Sequence, residues 1–218
     1  MYIQLNSQVL YYEHCGEGTK SIILLHGNGE THEIFDRLTE AILPDYDIYA
    51  IDSRGQGLSA TPKEYHYGDM AADVCNFIHA LSIEKPYILG FSDGGIVALM
   101  AAMTEHTISG VIACGANASP EGLTFSARHE IKKLYKKTGS PLAEMMLREP
   151  NLTYGDFQKI TCPVLYLGGE KDMISLKEFK KMDASTPNST LRIFKGKGHG
   201  DYVEHTDFLA PTVREFTQ

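Results

Sequence analysis

The sequence contains no tryptophan and only four cysteines, and no two of these cysteines form a C-x-x-C pair. They stand far apart along the chain, at Cys15, Cys75, Cys114 and Cys162. This spacing does not match a cysteine zinc site or a small disulfide framework. A chain of 218 residues buries a sizeable core without covalent cross-links, so we expect four reduced, packed thiols.

Long apolar runs and an excess of basic residues are also missing. No stretch reaches the roughly 18 apolar residues of a membrane span, and the first residues lack the basic and apolar parts of a signal peptide. We therefore expect a cytoplasmic protein without membrane contact. Asp and Glu outnumber Lys and Arg by 28 to 20, and the resulting net charge of −8 disfavours nucleic-acid binding. Nothing in the sequence predicts the oligomeric state.

Short apolar runs alternate with helical patterns along most of the chain. The runs predict strands at 22–25, 48–51, 87–89, 108–114, 164–167 and 191–194, after a hairpin at 2–5 and 9–14. Helices are predicted at 34–43, 67–81, 94–103, 176–182 and 208–216. This alternation is typical of a parallel sheet with helices on both faces. The composition, 43% hydrophobic and 22% charged, suits one α/β domain over residues 1–218.

Residues 119–159 break the alternation, because they contain helical patterns and no convincing strand. Helices are predicted at 126–137 and 141–147, the second opened by Ser140 as cap and Pro141 in the first turn. We expect a short helical insertion that forms a small lid. Its apolar side, with residues such as Met145 and Met146, either lines an acyl pocket or packs into the core. Such a small cover suits a small or medium acyl group.

The stretch Gly90–Gly95 lies between an apolar strand pattern and a small, apolar helix pattern. A serine on a sharp strand-to-helix turn has an exposed hydroxyl, and glycines around it permit the cramped backbone. We interpret Ser92 as a candidate nucleophile. The pattern is short, and an isolated match would more often be an ordinary helix cap, so the rest of the chain must supply its partners.

A serine nucleophile needs a base to take its proton and a carboxylate to orient that base. His199 lies in a glycine-rich stretch after the last predicted strand, and Asp172 follows the strand before it. We predict that His199 is the general base and Asp172 the orienting acid. Alternatively, His199 is an ordinary loop histidine, Asp172 caps the helix near Ser175, or Glu170 takes the acid role.

Four blocks together carry a resemblance to a known family: residues 26–29 (His-Gly-Asn-Gly), residues 52–59, the serine turn at 90–95, and the late Asp and His. The order serine, acid, histidine also fits. On these blocks the sequence resembles the α/β-hydrolase superfamily from its opening hairpin to its last helix. The resemblance implies a mostly parallel sheet of about eight strands with an antiparallel N-terminal edge.

The same resemblance implies an oxyanion hole formed by the backbone N–H groups of Asn28 and Asp93. It also implies that residues 52–59 form a structural turn without a catalytic role. Some members of the superfamily keep the acid after the sixth strand, but residues 114–117 of this chain contain no carboxylate, which favours Asp172.

The Asp93 side chain has two interpretations. As an acid in the first turn of a helix, it complements the positive end of the helix dipole. Alternatively, it faces the pocket and pairs with a cationic amine of the substrate, as the resemblance to hydrolases of amino-acid esters implies. The sequence leaves both open.

Metal and cofactor motifs are not found. His26 and His32 do not have the H-x-x-x-H or H-E-x-x-H spacing of metal ligands, and His32 occupies the third glycine position of a dinucleotide loop. We expect no metal and no nicotinamide or flavin. The function predicted is that of a cofactor-free serine hydrolase, carboxylesterase-like, cleaving a small-molecule ester through an acyl-enzyme. The alternatives are aminoacyl-ester, amide or carbon–carbon bond hydrolysis, and a small-molecule receptor or signalling protein that retains the three side chains.

Overall fold

A single sheet runs through the molecule in the computed structural model, which describes residues 1–6 and 8–218. Its strands in those ranges are β1 Tyr2–Leu5, β2 Gln8–Cys15, β3 Lys20–Leu25, β4 Tyr46–Ile51, β5 Tyr87–Phe91, β6 Gly110–Cys114, β7 Val164–Lys171 and β8 Ser189–Gly198. Across the described residues these eight strands pair in the order β1-β2-β4-β3-β5-β6-β7-β8. The β1–β2 and β2–β4 pairs are antiparallel and the others are parallel. The predicted fold class is confirmed.

Helices cover both faces of the sheet. They are α1 Asp36–Ile42, α2 Tyr67–Ala80, α3 Asp93–Ala102, α4 Phe125–Thr138, α5 Pro141–Arg148, α6 Leu176–Ser185 and α7 Ala210–Phe216. On one face, buried residues of α2, α3 and α6 pack with the sheet in a large apolar cluster. On the other face, Leu38 and Ile42 of α1 and Val213 of α7 belong to a second cluster. The central strands are therefore buried on both sides, which explains why they read as continuous apolar runs.

Several predicted bounds differ from those observed. The helix predicted at 34–43 consists of a 3₁₀ turn, His32–Phe35, followed by α1. Strand β6, predicted from residue 108, and helix α7, predicted from residue 208, each begin two residues later. Strands β7 and β8 are longer than predicted, because glycine-rich stretches that resemble loops continue the ladder. Gly168 and Gly169 pair with β8, and a Cβ atom at Gly168 would lie 2.6 Å from the ring of Phe179. The glycines therefore serve close packing here and do not mark a turn.

The segment 119–159 forms α4, α5 and two 3₁₀ turns, Pro120–Gly122 and Asp156–Lys159. The predicted cap is confirmed, since the Ser140 hydroxyl accepts the Ala143 N–H at 3.3 Å. Ile131 of α4 and Met145 of α5 are buried in the large apolar cluster. Much of the apolar side thus packs into the core. That the segment acts as a lid stays a prediction.

No helix in the described residues is long and apolar enough to cross a membrane. The four cysteines all lie within the described ranges, and each is a free thiol. Cys114 and Cys162 are buried. Burial raises the pKa of both thiols, so these groups are uncharged core side chains.

An ion pair anchors the turn at 52–59 to helix α2. The Arg54 guanidinium donates two hydrogen bonds of 2.7 Å to the carboxylate of Asp73. The two side chains are only 12% and 7% exposed. A bidentate pair this far from water is strongly coupled, because either charge alone would be poorly solvated.

We predict that Arg54→Met lowers the free energy of unfolding by about 3 kcal/mol or more, because it leaves the Asp73 carboxylate buried without its partner. Urea denaturation measures the change. Arg37→Met is the control, since the Arg37–Glu40 pair is exposed and should contribute less than about 1 kcal/mol. Adding Asp73→Leu to Arg54→Met should recover part of the loss. A double variant less stable than Arg54→Met would contradict the explanation.

Candidate active site

Ser92 lies at the sharp junction between β5 and α3. Its backbone has φ 53° and ψ −116°, a strained region for a residue with a side chain. The Ser92 N–H donates to the carbonyl of Cys114 at 2.7 Å, and the Ser92 carbonyl accepts N–H groups from the first turn of α3. These bonds fix the turn, so that the hydroxyl points away from the strand and helix that flank it.

Two glycines make this turn sterically feasible. A Cβ atom at Gly90 would overlap the carbonyl of Gly94, and a Cβ atom at Gly94 would overlap the carbonyl of Leu25 in β3. The backbone of α3 therefore packs directly on the backbone of two strands. The glycines of the 90–95 stretch are required for this packing, which is the physical reason for the sequence pattern.

The hydroxyl of Ser92, the ring of His199 and the carboxylate of Asp172 form a continuous hydrogen-bonded chain. His199 Nε2 lies 3.0 Å from Ser92 Oγ, and His199 Nδ1 lies 2.6 Å from Asp172 Oδ1. A carboxylate only accepts, so Nδ1 carries the proton and Nε2 is left to accept the serine hydroxyl. The structure thus brings together three side chains that are distant in sequence.

Asp172 is held rigidly in this arrangement. Its side chain is 1% exposed, and its two oxygens also accept the N–H groups of Gly169 and Ile174. The alternative roles are not observed. Ser175, and not Asp172, caps α6, and the Glu170 carboxylate accepts the Gly196 N–H at the exposed edge.

The His199 ring packs against the ends of two neighbouring strands. Its centroid lies 4.9 Å from that of Phe91. Gly115, directly after β6, has φ +64°, and a Cβ atom there would lie 2.6 Å from His199 Cε1. Position 115 therefore needs a glycine both for its backbone and for the space that the imidazole occupies.

The loop after β3 is organised by the buried ring of His26. His26 Nε2 accepts the Ser53 N–H at 3.0 Å, which leaves Nδ1 to donate to the Gly27 carbonyl at 2.7 Å. Burial lowers the pKa of the His26 ring, so it remains neutral. Both ring nitrogens are used in structural bonds. In the described ranges, no three His, Cys, Asp or Glu side chains are grouped so that they could hold a metal ion.

Asn28 and Asp93 lie next to each other beside Ser92. The Asn28 side-chain amide donates to the Asp93 carboxylate at 2.8 Å, which links the loop after β3 to the start of α3. Among the described residues, the backbone N–H groups of Asn28 and Asp93 have no acceptor. Unused backbone N–H groups in segments that adjoin a serine are able to bind a developing oxyanion.

Asp93 is buried, with 3% of the residue exposed. Its other oxygen accepts the hydroxyl of Tyr67 at 2.7 Å. Burial raises the pKa of Asp93, while the hydrogen bonds from Tyr67 and Asn28 and the nearby His199 oppose that rise. In this structure the carboxylate is therefore enclosed, with a donor on each oxygen, and is not presented to solvent.

Two residues near the site do not stand out in the sequence. Tyr67 is the first residue of α2 and has no local pattern that predicts its contact with Asp93. Glu30 accepts the Gly27 N–H at 2.8 Å. An acidic side chain three residues after a glycine can accept the N–H of that glycine and close a turn. This spacing is the one feature of the sequence that points to the contact of Glu30 with Gly27. Burial raises the pKa of Glu30 to about 7.

The turn at 52–59 is built around the buried Asp52. One oxygen of Asp52 accepts both the N–H and the ring Nδ1 of His32 at 2.8 Å, and the other accepts the Leu58 N–H at 2.9 Å. The carboxylate is fully used by these backbone and side-chain donors. This arrangement fits the structural role that the family resemblance implies for the block.

The eight-stranded, mostly parallel sheet that the described residues form, with helices on both faces, is the fold of an alpha/beta hydrolase. The profile of the family described as alpha/beta hydrolase fold matches residues 20–136, more than half of the chain. The chain belongs to this family.

Known relatives extend the likeness over the whole chain. A pimeloyl-[acyl-carrier protein] methyl ester esterase of Aliivibrio salmonicida is 24% identical and covers 96% of this chain, with 96% of the relative matched. The human serine hydrolase BPHL is 27% identical over 78% of this chain and 69% of its own. The esterase EaEST from Exiguobacterium antarcticum has a similar fold, with a TM-score of 0.86 and 22% identity over 99% of this chain and 98% of that one. These relatives are named as hydrolases and esterases.

We predict that Tyr67→Phe lowers the free energy of unfolding by about 1–3 kcal/mol, because it leaves one oxygen of the buried Asp93 without a donor. The Tyr67 bond favours the charged form of Asp93. The loss should therefore grow as the pH rises through the raised pKa of Asp93. Urea denaturation at several pH values measures this. Tyr2→Phe, at an exposed tyrosine, is the control. A loss that shrinks with rising pH would contradict the prediction.

Proposed function

We propose that the protein is a cofactor-free serine hydrolase that cleaves a carboxylic ester through an acyl-enzyme intermediate. The observation that carries the proposal is the hydrogen-bonded chain from Ser92 through His199 to Asp172. The Ser92 hydroxyl lies 3.0 Å from His199 Nε2, which can accept its proton, and His199 Nδ1 contacts the buried carboxylate of Asp172. This arrangement suits nucleophilic attack by Ser92.

In the proposed mechanism, Ser92 Oγ attacks the ester carbonyl carbon while His199 Nε2 takes the hydroxyl proton. Asp172 stabilises the imidazolium through its contact with His199 Nδ1. The tetrahedral intermediate collapses, His199 returns the proton to the departing alcohol, and the acyl group remains on the serine. Water then attacks the acyl-enzyme with His199 again as base, and the acid leaves.

The negative charge on the carbonyl oxygen is assigned to the N–H groups of Asn28 and Asp93. Both belong to backbone segments fixed on the strand ends, and the Asn28–Asp93 side-chain bond holds the segments together. Donors fixed in advance stabilise a developing charge without reorganisation during the reaction.

An ester is the proposed bond because of the names of the relatives. The relative from Aliivibrio salmonicida is named for a methyl ester, and the similar structure from Exiguobacterium antarcticum for an esterase. For this chain we propose one domain over 1–218 with residues 119–159 as a small lid. The carbonyl of Leu142 in α5 lies 3.5 Å from the Asn28 side-chain amide, so this segment reaches the loop after β3. We propose a small or medium acyl group on this basis.

We predict that Ser92→Ala abolishes ester hydrolysis with little change in unfolding free energy, because Oγ supplies the nucleophile and its only described partner is the His199 ring. The measurement is hydrolysis of short acyl esters, paired with fluorophosphonate labelling and peptide mapping. Ser185→Ala, at the end of α6, is the control and should retain activity and labelling. Labelling of a residue other than Ser92, or full turnover by Ser92→Ala, would refute the nucleophile assignment.

The alternative functions have tests of their own. Panels of dienoic-acid and amide substrates test carbon–carbon bond and amide hydrolysis. Strong stabilisation of the protein by a ligand, together with weak turnover, would favour a receptor.

We predict that Asp93→Asn leaves the ratio of alanine-ester to acetate-ester hydrolysis unchanged, because the Asp93 carboxylate is enclosed by Tyr67 and Asn28. The overall rate should fall, since asparagine cannot accept from both donors as a carboxylate does. The measurement is kcat/KM for the two esters in both proteins. A selective loss of alanine-ester hydrolysis would instead assign this side chain to a substrate amine.

A further inference from the structure

The loop after β3 closes on itself through Glu30. The Glu30 carboxylate accepts the Gly27 N–H at 2.8 Å, and the Glu30 N–H donates to the Gly27 carbonyl at 3.4 Å. Glu30 therefore bonds to both sides of Gly27. The Gly27 carbonyl also accepts from the His26 ring at 2.7 Å. Together these contacts fix the two peptide planes that meet at Gly27.

The orientation of Gly27 determines where the Asn28 N–H points. The Gly27 carbonyl and the Asn28 N–H belong to one planar trans peptide, in which the two groups point in opposite directions. Because His26 and Glu30 hold the carbonyl on one side, the Asn28 N–H must lie on the other. The Glu30 side chain restrains the preceding peptide, which limits rotation about Gly27.

The backbone of Gly27 lies between the Glu30 carboxylate and the side chain of Ser92, the proposed nucleophile. A Cβ atom at Gly27 would lie 2.6 Å from Glu30 Oε2 and 3.1 Å from Ser92 Cβ. The Glu30 carboxylate is thus packed against the backbone that contacts the serine. A shift of this backbone would move the proposed oxyanion donor relative to Ser92.

We propose that Glu30 is a positioning residue, which holds the Gly27 N–H and thereby aims the Asn28 N–H at the oxyanion formed on Ser92. The inference rests on the proposed hydrolase function. It assigns to Glu30 no contact with substrate.

The charge of Glu30 gives the proposal a pH dependence. Three titratable groups lie close enough to affect the Glu30 carboxyl by their charge. Glu204 and Asp93 raise its pKa, and His199 lowers it. Burial is the largest cause, and the resulting pKa is about 7. Above this value the ionised carboxylate is a strong acceptor for the Gly27 N–H; below it, the protonated group is a weaker one. The loop should therefore loosen as the pH falls through about 7.

The kinetic test compares Glu30→Ala with Glu30→Gln. Near pH 8 we expect kcat to fall about tenfold in Glu30→Ala with a smaller change in KM, since a misdirected oxyanion donor affects mainly the transition state. Glu30→Gln keeps a neutral acceptor and should restore most of the loss. Its activity relative to wild type should rise towards one as the pH falls to about 6, because the wild-type carboxylate becomes neutral there. Glu33→Ala and Glu33→Gln, at an exposed carboxylate of the next turn, are the controls and should match wild type.

A second measurement does not depend on turnover. In protein labelled with ¹⁵N-glycine, the Gly27 amide resonance should titrate with a midpoint near 7 and lose this transition in Glu30→Gln. Wild-type kcat in a folded Glu30→Ala, or a Gly27 amide that does not titrate, would overturn the positioning role. If wild type neither hydrolyses esters nor reacts with fluorophosphonate at Ser92, the proposed function itself fails, and the amide titration still tests the Glu30–Gly27 contact. If Glu30→Ala does not fold, Glu30→Gln and the titration carry the test.

Discussion

The strained backbone of Ser92 is the constraint on which the rest of the site depends. A residue at φ 53° costs on the order of 1–3 kcal/mol and persists only where its surroundings over-determine it. Here the surroundings are the ends of three adjacent parallel strands, β3, β5 and β6, bonded to one another and to the turn. The turn brings the backbone of α3 into close contact with the backbones of β3 and β5. This crowding limits the positions that the loops around Ser92 can take.

The same crowding explains what could be predicted from the sequence. Glycine at 90, 94 and 115 is required by close approach of the backbone or of the His199 ring, so the requirement appears directly in the residue types. The strand-helix alternation and the order of serine, acid and histidine gave the confirmed fold and placed the three side chains that are hydrogen-bonded in the structure. The glycines and the alternation are local or periodic in sequence, whereas the serine, acid and histidine are far apart and are linked by the blocks that carry the family resemblance.

The parts that could not be predicted depend on contacts between distant segments. Tyr67 meets Asp93 only because α2 packs against α3, and no pattern around residue 67 encodes that partner. The sequence predicts β7 and β8 too short, because the glycine-rich ends of both strands resemble loops, although Gly168 packs against Phe179 and Gly169 pairs with β8. The sequence alone leaves two interpretations of the Asp93 side chain open. Its enclosure depends on Tyr67 and Asn28, which lie far away in sequence and donate one hydrogen bond to each carboxylate oxygen.

Strand β8 lies at the edge of the sheet and pairs with β7 alone among the described strands. Asp172 and His199 follow directly from the ends of these two strands, whereas Ser92 follows from the interior strand β5. Strand β7 is interior and pairs with both β6 and β8, whereas β8 is only partly buried. A strand with fewer buried contacts opens more readily, so the amides of β8 should exchange with solvent deuterium sooner than those of the interior strands. Ser92 and His199 therefore belong to regions of unequal local stability, and heating should detach the imidazole from the serine before the central sheet melts.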